Sequence, residues 1–209
     1  MAGYYSGLVM AGGSFKAIPS WQAKTTQERI PMIINEENSR HEMILAAAKE
    51  AMSAARTAPK TRGIDNLIIK VVDGEDVERV AAMMEEVAAR TPGKRPTFVR
   101  DAGNVRASQA IILIGAKQNP VGLDCTWCGF SSCERKGDNP KAQCVFNVMD
   151  LGIALGSVGA LLADKHIDNR FMYSIGYAAL DLKLFPPEVS VALGIPLSVS
   201  GKSPYYDRK

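Results

Sequence analysis

The chain has 209 residues, 46% of them hydrophobic and 22% charged, the make-up of one fair-sized globular domain or one domain with an inserted module. A net charge of +3, with no Lys/Arg run and no aromatic–basic stripe, argues against a nucleic-acid binder. The most apolar segment, 145–163, is broken by Asn147, Asp150 and Ser157, so no unbroken stretch reaches the roughly 18 residues a membrane span needs.

Residues 1–31 are rich in Gly, Ser and Tyr and end in a polar stretch, Gln22 to Arg29. They read as a poorly ordered or loosely docked extension; a structural arm packed on a partner subunit is the alternative. Gly7–Gly13 is too short for a secretory signal and no basic residue precedes it.

Ser39-Arg40-His41-Glu42 has the form of a capping box. It predicts a helix whose apolar face is Ile44, Ala48, Ala51, Met52 and Ala55, ended by Pro59 and Gly63. Leu67–Val72 is β-branched and predicts a strand. After a turn at Asp73-Gly74, the spacing of Val77, Val80, Ala81, Met84, Val87 and Ala88 predicts a second amphipathic helix. Thr91–Lys94 reads as a loop. The apolar run Ala110–Gly115 suits a buried central strand. Asn139-Pro140 is a helix start, and a long helix rich in small residues should run from there to about Asp164. Val189–Leu193 predicts a last strand, followed by Gly194-Ile195-Pro196 and a basic tail. This order describes a layered domain of helices and strands around one sheet.

The sharpest signal lies in the insert. All four cysteines, Cys125, Cys128, Cys133 and Cys144, fall within 20 residues, spaced C-x2-C-x4-C-x10-C. A secreted disulfide scaffold would spread its cysteines to staple distant elements, so the clustering points to a reducing cytoplasm. Four soft thiolates suit an iron–sulfur cluster or tetrahedral zinc. Zinc sites usually show two close pairs, whereas one close pair and two singletons favour a [4Fe–4S] cluster. Zinc, a [2Fe–2S] cluster and reactive or merely buried thiols remain the alternatives. Gly129 supplies a turn, and Ser131 and Ser132 supply N–H donors to sulfur. Arg135, Lys136 and Lys141 would offset the centre's negative charge, and Cys144 near a helix start would gain from the helix dipole. Trp127, between two ligands, either shields the centre or simply packs.

The segment LDCTWCGFSSCERK, the later IGYAALD and the closing ALGIPLSVSGKSPYYDRK resemble the DUF2148 family, described as uncharacterised proteins with a ferredoxin-like domain, over roughly residues 32–209. More piecemeal, Ala55-Arg56-Thr57-Ala58-Pro59, the helix from Asp150 to Ala163 and the strand Val191–Pro196 resemble nitroreductase-type flavoproteins. The resemblance implies an α+β, nitroreductase-like layered domain spanning 32–209. That domain would have a central mixed sheet, a long central helix and a four-cysteine cluster loop inserted at 118–146. It also implies a homodimer with FMN at the subunit interface. On it, Arg56, Pro59, Lys60, Arg62, Asn169, Lys202 and Arg208 are the candidate flavin contacts. Of the family's Arg-Arg-Ser-x-Arg only Ser39-Arg40 is present, and Lys60 stands where the family has Ser.

Each of these residues also has a plainer reading. Arg56, Lys60 and Arg62 would serve a helix end as solvated charges. Ser200-Gly201-Lys202-Ser203 could cradle a phosphate, but lacks the P-loop spacing and could equally be a basic tail. Of the two histidines, His41 should face solvent; His166 would either donate a proton near a flavin or satisfy carbonyls at a helix end. Asp150 reads as a polar partner or capping group, and no hydrolase signature is present. The reading is an electron-transfer flavoprotein with one [4Fe–4S] cluster and FMN, serving a redox partner protein or a small-molecule acceptor. The alternatives are a ferredoxin-like cluster protein without flavin and a zinc-stabilised interaction protein.

Overall fold

The structure, a computed structural model, describes residues 33–206. The expected N-terminal extension at 1–31 and the candidate contact Arg208 lie outside the described residues.

The first helix, Glu36–Thr57 (α1), starts earlier than the Ser39 box predicts. Asn35 takes the cap, its side chain accepting from the Glu37 N–H at 3.0 Å, and Glu36 and Glu37 complement the dipole in the first turn. Ser39 therefore lies inside the helix, where its hydroxyl donates back to the Asn35 carbonyl at 3.3 Å. The strand Leu67–Asp73 (β1) follows, then the helix Glu75–Arg90 (α2). All six residues expected to form the apolar face of α2 are buried.

The stretch after α2 departs from expectation. A short 3₁₀ turn over Pro92–Lys94 leads into a helix, Arg95–Arg106 (α3), that its polar sequence hides. This helix decides the sheet. Helix α2 carries the chain back along β1 and α3 reverses it again, so the next strand, Ala110–Lys117 (β2), runs antiparallel to β1. A single crossover helix would have made that pair parallel. Every described pairing is antiparallel, where a mixed sheet was expected.

The remaining elements are a short helix, Cys133–Gly137 (α4), the long helix Val145–Asp164 (α5), the strand Asp168–Asn169 (β3), a helix Tyr173–Asp181 (α6) and the strand Val189–Ser198 (β4). The sheet order is β1-β2-β4-β3. Strand β4 runs five residues past its expected end, through Pro196. Gly194 exchanges both backbone hydrogen bonds with Met172 on the outer side of β4, so two residues on Pro196 also faces outward. There it falls between that bridge and the β3 pairing, and no donor is needed.

Helices cover both faces. Ile112, Ile114, Ile195 and Leu197 pack with α1 and α5; Ile111, Leu113 and Ala192 pack with α2, α3 and α6. Alternate β2 side chains thus enter two cores, which explains a strand apolar at every position before Lys117. Helix α6 lies very close to β4: a Cβ on Gly176 would sit 1.8 Å from the Ala192 carbonyl oxygen.

By length and composition α5 could cross a membrane, yet one face is built as core. Leu151, Ala154, Leu155, Val158 and Leu162 are buried there, and so are the polar Asn147 and Asp150. Its other face leaves Val148, Met149 and Ile153 exposed.

Candidate metal centre

The cysteine segment is held at its base by polar side chains. Asn147 of α5 donates to the carbonyls of Lys117 (2.8 Å) and Asn119 (2.6 Å), and accepts from Asn66 at 3.0 Å. One turn on, Asp150 accepts from the Thr61 N–H through both oxygens at 3.0 Å and from the Thr61 hydroxyl at 2.9 Å. Asp150 is therefore the polar partner and cap of the short turn Thr61–Gly63. That turn presents Arg62, whose Nη1 donates to the carbonyls of Val121 (2.8 Å) and Gly122 (3.0 Å). Helix α5 thus positions the start of the loop through a chain of hydrogen bonds that crosses about 60 residues of sequence.

Beyond this anchor the backbone bends repeatedly. Gly122, Asp124, Thr126 and Gly129 all have positive φ, and the Gly129 N–H closes a turn on the Thr126 carbonyl at 2.9 Å. Asp124 and Cys133 bind reciprocally: the Asp124 N–H donates to Cys133 Sγ at 3.4 Å, and the Cys133 N–H donates to Asp124 Oδ1 at 2.6 Å. Ser132 caps α4, its hydroxyl accepting from the Arg135 N–H at 3.2 Å, which fixes Cys133 as the first residue of that helix. The long helix begins later than Asn139-Pro140 predicts. Asn139 instead accepts from the Lys141 N–H at 3.2 Å in a turn, and Cys144 becomes the N-cap of α5. Cys144 consequently sits at the positive end of that helix's dipole. Gln143, beside it, is tied to Ser190 of β4 by hydrogen bonds of 2.7 and 2.9 Å.

All four cysteines are free and line one small recess of about 10 Å³, room for a single water. Cys144 is buried and the other three are half-buried. Among the described residues no three Cys, His, Asp or Glu side chains gather as the ligands of a single ion; the four cysteines share only the lining of the recess. Much of its lining is apolar, from Val121, Leu123, Phe130 and Phe146. Trp127 stacks on Phe146, with ring centroids 5.4 Å apart and planes at 16°, and is itself 67% exposed. It packs on Phe146, a wall residue of the recess, without lining the recess itself. Of the three cations expected to offset the charge, Lys136 alone lines the recess. Arg135 points out toward Asp138, and Lys141 is exposed.

The described candidate flavin contacts come from separate segments of the chain. Arg56 donates to Asp65 (2.5 Å) and to the Leu67 carbonyl (3.1 Å). Lys60 donates to the α1 carbonyls of Ala55, at 2.8 Å, and Arg56, as the plainer helix-end reading has it. Burial pushes the Lys60 ammonium below its ordinary value, with Asp65 opposing. Burial pushes the Asp65 carboxyl up, but the Arg56 and Leu67 hydrogen bonds outweigh it and hold the group below the usual carboxylate range. Arg62 holds the cysteine loop, and Pro59 is exposed after the α1 cap. Asn169, in β3, donates to the Ile167 carbonyl at 2.9 Å. Lys202 lies in the tail after β4, where its carbonyl accepts from Ser200. His41 is exposed, 3.6 Å from Asp73. His166 takes a left-handed conformation after α5, and its backbone N–H, not its ring, serves the Ala163 carbonyl.

Asp124, Arg62 and the burial of Lys136 were not foreseen as parts of this site. Asp124 had a local signal, an aspartate one residue before the first cysteine. Arg62 had none, because its partners lie some 60 positions away.

A family described as uncharacterised proteins containing a ferredoxin domain (DUF2148) matches residues 141–208, from just before Cys144 through β4. An uncharacterised protein of Archaeoglobus fulgidus is 47% identical over 185 residues, covering 85% of this chain and 98% of its own. Among solved structures, a nitroreductase with bound FMN from Desulfitobacterium hafniense aligns with a TM-score of 0.52 at 14% identity, over 77% of this chain and 78% of that one. A nitroreductase-family protein from Clostridium novyi gives 0.52 at 14% identity, over 74% and 73%. The chain has the nitroreductase fold.

Proposed function

The chain belongs to the DUF2148 family of uncharacterised ferredoxin-domain proteins, and from that premise we propose that it is an iron–sulfur electron-transfer protein or oxidoreductase built on a nitroreductase frame. The observation that carries the proposal is the recess itself. Four thiols, delivered by the loop, the start of α4 and the cap of α5, line one small cavity together with a buried lysine. Cys125, Cys128, Cys133 and Cys144 are the proposed ligands of a [4Fe–4S] cluster. The donor set fits such a centre: soft sulfurs, an N–H on Cys133 Sγ, a helix N-terminus at Cys144 and an apolar surround. One close cysteine pair and two singletons, against the two close pairs usual for zinc, favour the cluster. When bound, the cluster would supply one-electron transfer. The residues would exclude water through Phe130 and Phe146, orient Cys133 through Asp124 and hold the start of the loop through Arg62.

The proposal includes FMN, on the strength of fold alone. Two of the structures sharing that fold are described as holding FMN. Arg56, Lys60 and Arg62 are engaged within the subunit, which favours the second reading, a cluster protein that kept the frame without the flavin. A homodimer is proposed from the outward face of α5, where Val148, Met149 and Ile153 leave an apolar stripe beside Gly152 and Gly156. Four free thiols suit a reducing compartment, so the cytoplasm is the proposed location.

Cofactor quantitation on anaerobically isolated protein tests this reading. Brown protein with about four iron and four sulfide per chain is expected; colourless protein holding zinc overturns it. FMN released on denaturation separates the flavoprotein from the flavin-free reading. If FMN is present, Lys202→Ala or Arg56→Ala should lower flavin content and leave iron unchanged.

A further inference from the structure

Lys136 is as deeply buried as any charged side chain described, 2% exposed. Its Nζ donates to the Gln118 carbonyl, and no carboxylate pairs with it among the described residues. An ammonium has three donors, and taking one out of water costs heavily unless a counter-charge is near. Each ion pair described elsewhere in the chain has at least one exposed partner, even the pair of buried Asp101 with Arg100. Here the candidate anion shares the recess: the sulfurs of Cys125, Cys128, Cys133 and Cys144. The two neighbouring cations are placed differently. The Arg135 side chain is 73% exposed, 3.9 Å from Asp138, and Lys141 is exposed.

We infer that Lys136 is a counter-cation built into the fold for a thiolate-bound metal centre, and that it biases the centre toward its reduced state. The inference rests on the cluster reading above. Four thiolates leave such a centre anionic, and accepting one electron from a reductant adds one further negative charge, with no bond formed or broken. A fixed positive charge at the wall stabilises the more negative state more than the less negative one. Because Lys136 is shielded from solvent, salt screens the effect little; an exposed cation such as Arg135 acts weakly and only at low salt. Lys136 is thus a positioning charge, acting on the centre without ligating it. Without a centre the same ammonium lacks its counter-charge, so replacing it should not harm the metal-free chain.

The test is a redox titration of the anaerobically isolated full chain, with dithionite and mediators, the reduced centre followed by electron paramagnetic resonance. Lys136→Met should lower the reduced-to-oxidised ratio at fixed potential at least tenfold, a shift of about 59 mV for one electron, at both low and high salt. Arg135→Met, the same change in net charge, should shift it far less and only at low salt. Urea unfolding of the metal-free chain should find Lys136→Met at least as stable as the wild type. An unchanged midpoint in iron-loaded Lys136→Met, or an equal shift in Arg135→Met, overturns the inference and leaves the cluster reading standing. Wild-type protein without iron overturns the cluster reading and the inference with it. If Lys136→Met cannot hold iron, the pair Lys136→Arg and Lys136→Gln decides: a lowered potential in Gln alone supports the counter-charge, and equal potentials overturn it.

Discussion

Replacing Asp150 with alanine tests whether the metal loop is held from a distance. Asp150 is 3% exposed and accepts three hydrogen bonds from the backbone and hydroxyl of Thr61. Hydrogen bonds to a charged acceptor contribute roughly 1.5–3 kcal/mol each. Two donors lose their partner, but Thr61 is half-buried, so water recovers part of that. Removing a buried carboxylate also relieves its own desolvation. The net loss should be about 2–3 kcal/mol, a large fraction of the roughly 5–15 kcal/mol typical of a domain. Asp150→Asn keeps one oxygen acceptor and should lose about half as much. The second consequence is local to the metal centre: the turn that Asp150 caps presents Arg62 to the Val121 and Gly122 carbonyls. Urea unfolding of the metal-free chain measures the first effect, and the rate of iron loss to a chelator measures the second. Stability within about 0.5 kcal/mol of wild type, the scale of an ordinary surface substitution, would refute the capping role. A stability loss with iron retention unchanged would refute the link through Arg62.

Other substitutions probe the frame, the acid limb and the subunit contact. Gly176→Ala places a Cβ 1.8 Å from the Ala192 carbonyl oxygen and 2.7 Å from the Leu193 nitrogen, so α6 must lift from β4. Thermal unfolding should show a loss at or above the ~1–3 kcal/mol of typical overpacking, and an unchanged melting temperature would contradict the close approach. Asp65 is held below the usual carboxylate range in the folded chain. The stability it lends is therefore present above about pH 4 and drains away as pH falls through its folded value. Urea midpoints taken from about pH 7 to about pH 3 should fall less steeply in Asp65→Asn, and parallel curves would count against that contribution. Ile153→Glu, on the outward face of α5, should convert a dimer to monomer in sedimentation without lowering iron content; an unchanged oligomer would place the interface elsewhere.

Much of the frame was legible along the chain. In α2 the apolar residues recur at helical spacing and all six are buried, because one face of that helix meets the core. The unbroken apolar run of β2 announced a strand covered on both sides. Helix α3 escaped notice because Arg95, Arg100 and Arg106 break its pattern; its buried face is only Phe98, Asp101, Ala102 and Val105. Missing it also hid the direction of β2, since strand polarity depends on how many times the chain reverses between strands.

The sequence by itself determined the set of donors at the candidate site. Four soft donors in 20 residues can serve few purposes, and residue type does not change on folding. What the tertiary structure decided was where charge and solvent stand around those donors. Arg135 and Lys136 are adjacent and alike on paper, yet a five-residue helix turns one outward and buries the other. Arg62 reaches the loop only because α5 carries Asp150 one turn from Asn147. Burial and long-range hydrogen bonds depend on how whole elements pack, and no local pattern of residues encodes them.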